Sequence, residues 1–341
     1  MMKSLKIDYY HDAYSTEAVN CIDQPIAGAA GNFNYHNFFY YCFYLTLHKN
    51  WGFAQNKDFV ETRNQILNKM GLTLKYCLIE DPNELLSSIH NLLDNNCPVV
   101  IVPKRRTLPY DYTYGDLNVN IMHGVLFTDY DLNRSVFVVR DVAHIELSGA
   151  KYAGTGYGLF KLWLSEEIVR DIWLKTNEIY RKEDLYFLNK ILFIEKNRSS
   201  KINSFSELIE DFIENFNFSH NNFANAIADC SVEDFLDNGF VANLRNTYQL
   251  SMTVVFDVLE KSFESLSQNI EERKTFHEFK DKYLRSRYLL ISKLHAAALR
   301  NKFIESDEKK KIINEILKND NELYLLINEL YIRDKKKIQG D

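Results

Sequence analysis

The chain has 341 residues, of which 46% are hydrophobic and 26% charged, and its formal net charge is -6. This is the composition of a soluble globular protein long enough for two domains, and the acidic balance argues against a nucleic-acid binder, whose phosphate contacts need a basic surface. No run reaches the apolar length of a membrane helix and the N-terminus lacks the apolar core and cleavage site of a signal peptide, so a cytoplasmic protein with no membrane partner is expected.

Five cysteines, at 21, 42, 77, 97 and 230, form an odd set without CxxC spacing. Neither a disulfide framework nor a zinc site is indicated, no metal is expected, and free thiols are the default. The first of them lies in Asn20-Cys21-Ile22-Asp23-Gln24-Pro25, where Asn20 can cap a helix and a proline soon after the start is tolerated. A thiol at that position faces unpaired N–H groups and the positive end of the helix dipole, which favour thiolate. The following Ala27-Gly28-Ala29-Ala30-Gly31 supplies small residues that let a helix pass close to a sheet. From Tyr35 to Phe53 the chain is aromatic almost throughout, which reads as a core helix with Cys42 buried and inert.

An amphipathic helix is expected over Asp58 to Met70, stopped by Gly71, then a strand over Leu72 to Ile79 and a helix from Asp81 to Leu93. Three short branched runs, Pro98 to Val102, Val125 to Phe127 and Val136 to Val139, read as adjacent buried strands, the last two joined by a turn over Asp131 to Arg134. His123 then opens one strand and Asp141 ends the next, at one edge of a hairpin. A carboxylate so placed can hold one imidazole nitrogen and raise the basicity of the other, as a nucleophilic triad requires. His144 is a rival base but falls beyond the strand end. Lys104, Arg105 and Arg106 follow the first strand, and Tyr110, Tyr112 and Tyr114 alternate in the loop before His123. That loop either packs on the fold or lines a substrate pocket. Gly154-Thr155-Gly156-Tyr157-Gly158 lacks the strand and helix that a phosphate loop needs and reads as a loop near the site.

Leu159 to Ile179 reads as a helix with Trp163 and Trp173 buried, Asp184 to Glu195 as a strand closing the sheet, and residues 197–203 as a polar linker. Everything beyond is helical by period. A capping box starts at Ser204, Ser231-Val-Glu-Asp234 caps another helix, and long amphipathic stretches cover Asn243 to Ser267, Glu271 to Asn301 and Ser306 to Tyr331. The expected division is a catalytic domain at 1–196 and a helical bundle at 204–341, with no cluster of titratable groups in the bundle. The bundle could shape an acceptor pocket, dock a partner or form a homodimer.

The order of these features carries a resemblance. A cysteine at a helix start, then Cys97-Pro98-Val-Val-Ile-Val-Pro103 with Leu108-Pro109-Tyr110 after it, His123-Gly-Val-Leu-Phe followed by Asp129-Tyr-Asp131, and Val136-Phe-Val-Val-Arg-Asp141 together resemble the papain-like, C39-like cysteine peptidase fold, over roughly residues 15 to 195. Within it the sequence looks most like the butirosin-type (BtrH-like) acyltransferases of antibiotic gene clusters. The resemblance implies an α+β domain with an antiparallel sheet, followed here by an all-α bundle. It assigns Cys21 as nucleophile, His123 as general base and Asp141 as the residue that orients it.

The glutamine that papain-like enzymes carry some six residues before the cysteine is replaced by Ser15, so the oxyanion donors would be the Cys21 N–H with Asn20 or Gln24. The implied activity moves an acyl group from the phosphopantetheine thioester of an acyl or peptidyl carrier protein to a small amine, a diamine among the candidates. The chain then needs no cofactor of its own, since the partner carries the phosphopantetheine. Lys104, Arg105 and Arg106 would face the carrier protein or its phosphate, or else form a solvated loop. A cysteine peptidase or amide hydrolase of the same fold and a catalytically inactive binding module are the alternatives.

Overall fold

The computed structural model describes residues 2–5, 14, 18–52, 58–143, 158–183, 186–197, 202–215, 221–263, 266, 268–300 and 306–339. The chain forms two compact units, one of residues 1–42 and 58–201 and the other of 43–57 and 202–341. The first is α+β. In chain order it contains β1 (Met2–Ser4), α1 (Asp23–Gly31), the start of α2 (His36–Trp51), α3 (Phe59–Leu67), β2 (Leu72–Leu78), α4 (Leu85–Asp94), β3 (Val99–Ile101), β4 (Val125–Asp131), β5 (Val136–Ala143), β6 (Gly158–Ser165), α5 (Glu166–Glu183) and β7 (Lys190–Lys196).

The seven strands form one sheet in the order β2-β7-β3-β4-β5-β6, with β1 paired to β4 and every pairing antiparallel. Branched, fully buried side chains such as Val99, Val100, Leu126, Val138 and Val139 give the central strands two apolar faces. Val125 and Phe127 line an apolar pocket with Ile172 and Trp173 of α5, while a Cβ on Gly124 would point at Pro25 of α1. Because side chains alternate along a strand, α1 and α5 lie on opposite faces of the sheet.

Two sequence readings are corrected. Leu159 to Ile179 is not one helix: its first part is β6, paired residue for residue with β5, and only Glu166–Glu183 is helical. Trp173 is buried as expected, but Trp163 is 46% exposed, on the strand position next to the buried Leu164. The strand expected from Asp184 to Glu195 begins at Lys190 and does not close the sheet; it lies inside it, between β2 and β3.

Beyond 202 the regular elements among the described residues of the second unit are helical: α6 (Phe205–Asn215), α7 (Asn222–Asp229), α8 (Asn238–Arg245), a π turn (Asn246–Leu250), α9 (Met252–Ser262), α10 (Ile270–Leu299) and α11 (Ser306–Gln339). Phe223, Ile227, Phe235, Ile291, Leu294 and Ile316 anchor an apolar core. The unit also buries a charge cluster, contrary to expectation. Asp320 accepts bonds from Arg287 (2.6 Å), Tyr283 (2.5 Å), Trp51 (3.1 Å) and Asn221 (2.6 Å), and Arg287 also donates to Asn50 (2.7 Å) and to the Tyr248 carbonyl in the π turn (2.5 Å). Its members come from separate stretches of α-helical pattern, so sequence periodicity does not bring them together. No helix among the described residues is long and apolar enough to cross a membrane.

Candidate active site

The start of α1 is built by Asn20. Its Oδ1 accepts the N–H groups of Ile22 (3.0 Å) and Asp23 (2.8 Å), and its carbonyl accepts that of Gln24 (3.0 Å), so Cys21 sits inside the capping turn. The turn is pinned from below by Asp23, which is fully buried. Arg63 grips that carboxylate with two parallel bonds of 2.9 Å, Tyr41 donates at 2.6 Å, and the Asn20 amide donates at 2.5 Å. Burial and the Asp23 charge push the Tyr41 phenol well above its ordinary value. Burial works against the Arg63 cation, but the Asp23 charge together with Tyr41 and the hydrogen bonds to both more than offsets it. Both partners therefore stay protonated donors.

His123 arrives from the opposite side. Residues 121–123 lie against 103–105, with the His123 N–H on the Pro103 carbonyl at 2.8 Å and that of Arg105 on the Ile121 carbonyl at 2.9 Å. The next residue has to be glycine. Its N–H donates to the Cys21 carbonyl at 3.2 Å, and a Cβ there would stand 2.8 Å from that same oxygen and 2.7 Å from Pro25 Cγ. The Cys21 sulfur in turn points at the Met122 carbonyl, 3.4 Å away. These close backbone contacts bring together a thiol and an imidazole that are 102 residues apart in the chain (123 less 21).

His123 Nε2 meets Asp141 Oδ1 at 2.5 Å, and Tyr110 donates to Asp141 Oδ2 at 2.7 Å. The imidazole is 3% exposed and the carboxylate residue 1%, while Cys21 is half-buried. Burial alone would lower the His123 pKa. The Asp141 charge and hydrogen bond, with smaller contributions from the adjacent Cys21 sulfur, overcome it and push the value up to about 10. At neutral pH the ring is thus an imidazolium. With Nε2 held by Asp141, Nδ1 is the nitrogen left for the thiol, and an imidazolium is the cation that stabilises a facing thiolate.

The remaining predicted residues divide. Among the described residues the Cys21 N–H has no acceptor, which leaves it available to an oxyanion. Asn20 and Gln24 are not so placed: Asn20 is committed to the cap and to Asp23, and the Gln24 amide nitrogen donates to the Tyr14 carbonyl at 2.9 Å in a buried position. Lys104 is 2% exposed, its ammonium 3.0 Å from Glu183, so it is not offered to a partner. Arg105 is held by Asp111 at 2.8 Å and Arg106 donates to the Leu117 carbonyl at 2.7 Å. Ser15, His144 and residues 154–157 lie outside the described residues.

Sequence reasoning missed the roles of Asp23, Arg63 and Tyr110. The one signal for Tyr110 was the run of alternating tyrosines, in which Tyr112 and Tyr114 are exposed while Tyr110 turns in to Asp141. Among the described residues no group of three or more His, Cys, Asp or Glu could hold a metal ion.

No family profile matches the chain, and no curated protein matches it. Among solved structures, a Bacillus anthracis chain assigned as a C39-like peptidase is similar at 13% identity and a TM-score of 0.23, over 41% of this chain and 57% of that one. The matched part spans little more than half of that chain, and a likeness of this size carries no functional weight.

Proposed function

We propose that the protein is a cysteine-dependent acyltransferase of papain-like, C39-like architecture, with Cys21 as nucleophile, His123 as acid and base, and Asp141 as the group that fixes the ring. The observation that carries this reading is the buried His123–Asp141 pair of 2.5 Å set against a half-buried cysteine inside a helix cap. In the first half-reaction the Cys21 thiolate attacks the carbonyl of an acyl thioester. The new S–C bond forms as the old one breaks, and His123 gives its proton to the departing thiol. The Cys21 N–H meets the oxyanion in between. An amine then attacks the acyl-enzyme, His123 takes the amine proton, and the Cys21 sulfur leaves as thiolate with an amide as product.

We assign the donor as an acyl or peptidyl carrier protein's phosphopantetheine thioester and the acceptor as a small amine. Two things support this choice: the sequence resemblance to butirosin-type acyltransferases, and the ease of exchange between two sulfur leaving groups. The amide synthetase of closthioamide biosynthesis, with a diamine acceptor, is the family member this assignment follows. The test is intact-mass measurement of the protein mixed with an acyl-loaded carrier protein. An adduct on Cys21 that is absent from Cys21→Ala and discharged by amine supports the proposal. Rapid loss of the adduct to water without amine redirects it to hydrolysis, and absence of any adduct ends it.

A further inference from the structure

Two neighbouring strands, β5 and β6, carry cations on the face turned away from the His123–Asp141 pair. On β5, Arg140 immediately precedes Asp141, so its side chain leaves the sheet on the opposite face. The ladder sets Arg140 against Lys161 of β6 on one side and against Leu126 of β4 on the other. Two like charges directly opposite each other are unfavourable in an antiparallel pair. Here no carboxylate relieves them: among the described residues neither Arg140 nor Lys161 forms an ion pair, and the Arg140 Nε is buried without a hydrogen-bond partner. The half-exposed Trp163, two residues along β6, lies on this same face, with the Lys161 ammonium 5.8 Å from its ring centroid.

The place of this group relative to the nucleophile follows from the same register. Leu126 faces Arg140, and Gly124, two residues before Leu126, shares its face and bonds the Cys21 carbonyl. A diagonal step of that kind puts the Arg140 and Gly124 backbones about 8 Å apart. Arg140 therefore projects from the face of the sheet on which Gly124 meets Cys21, with Lys161 one strand further out on the same face.

We propose that Arg140, Lys161 and Trp163 form a carboxylate-binding subsite that orients an anionic group on the acyl chain or on the amine acceptor. The proposal rests on Cys21 being the reactive thiol. Arg140 supplies a planar fork for two oxygens, Lys161 a point charge, and Trp163 an apolar wall for the adjoining carbons. A carboxylate is preferred to the phosphate of a pantetheine arm because Arg140 stands one diagonal step from the residue that bonds Cys21, whereas that phosphate is separated from its own thiol by the whole arm.

The experiment uses the full-length protein and two maleimides of similar size, neutral N-ethylmaleimide and anionic 3-maleimidopropionate, with the labelled cysteine located by peptide mass spectrometry. The readout is the rate of Cys21 labelling by the anionic probe divided by that of the neutral one. This ratio should fall several-fold in Arg140→Gln and in Lys161→Gln, be largely kept in Lys161→Arg, and decline with added salt in the wild type. Lys161 is exposed, so its variants fold even if Arg140→Gln does not. A reactive Cys21 with the same ratio in Lys161→Gln as in wild type overturns the subsite alone. A Cys21 inert to both probes overturns the subsite together with the proposed function.

Discussion

Substituting Gly124 by alanine probes the contact on which the site is built. The added methyl would stand 2.8 Å from the Cys21 carbonyl oxygen, 2.7 Å from Pro25 Cγ and 3.1 Å from Ile22 Cα. Restoring ordinary contact of 3.4 Å from 2.8 Å requires about 0.6 Å of movement. Two of the three atoms are backbone at the start of α1, and Asp23, locked to Arg63 and Tyr41, keeps that start from swinging away. The strain therefore opens the gap between Cys21 and His123. Overpacking of this kind costs about 1–3 kcal/mol of stability, and misplacing reacting groups by a fraction of an ångström to 1 Å lowers rates by roughly 10- to 100-fold. Thermal unfolding and the rate of Cys21 labelling by N-ethylmaleimide measure the two effects separately. A Gly124→Ala protein that labels at the wild-type rate with an unchanged melting temperature would refute the reasoning.

Four further outcomes are expected. The folded pKa of His123, about 10, lies above the ordinary 6.5, so the His123–Asp141 pair contributes stability that is full below 6.5 and lost as pH rises through about 10. The melting temperature of the wild type should accordingly fall more steeply across that window than that of His123→Gln. Tyr110→Phe leaves Asp141 Oδ2 without its donor in a buried position, costing about 1–3 kcal/mol in denaturant titrations and slowing Cys21 labelling. Asp23→Asn strands the Arg63 cation; a loss of about 3 kcal/mol, the lower end of the range for broken buried pairs because Arg63 keeps some exposure, should appear as a lower unfolding midpoint. In the helical unit Arg287→Met leaves Asp320 buried and uncompensated at a cost of about 3–5 kcal/mol, and adding Asp320→Leu should recover much of it by removing the second charge.

The features of this site that are legible in the sequence are local ones. Asn20 before a helix-forming run marks the cap, and turn residues 131–134 between two branched runs mark the hairpin that puts His123 and Asp141 at one edge. The features that are not legible depend on distant partners. From Gly158 to Glu183 no glycine or proline separates strand from helix, and Leu159, Leu162, Trp163 and Val169 mimic a helical period. Ser165 makes the break by accepting the Ile168 N–H at 3.2 Å, and β6 is extended because β5 offers it a full ladder. The place of β7 between β2 and β3 is likewise a matter of topology, which periodicity does not encode. The buried Asp23–Arg63 and Asp320–Arg287 pairs join residues 40 and 33 positions apart, and each charged residue alone reads as a solvated one.

The register of the central hairpin ties these observations together. Along the outer half of β4 the pairing runs Asp131 with Val136, Tyr130 with Phe137 and Asp129 with Val138, but one residue is left over before Phe127 meets Val139 and Leu126 meets Arg140. That extra residue, at Thr128, is a bulge. Without it the outer register would continue so that Leu126 opposed Asp141, and since adjacent side chains leave a strand on opposite faces, the carboxylate would turn toward α1 and away from His123. The bulge thus decides two things at once. It delivers Asp141 to the imidazole, and it puts Arg140 on the face where Gly124 meets Cys21. A one-residue irregularity in β4 therefore sets both the His123–Asp141 contact and the face from which Arg140 projects.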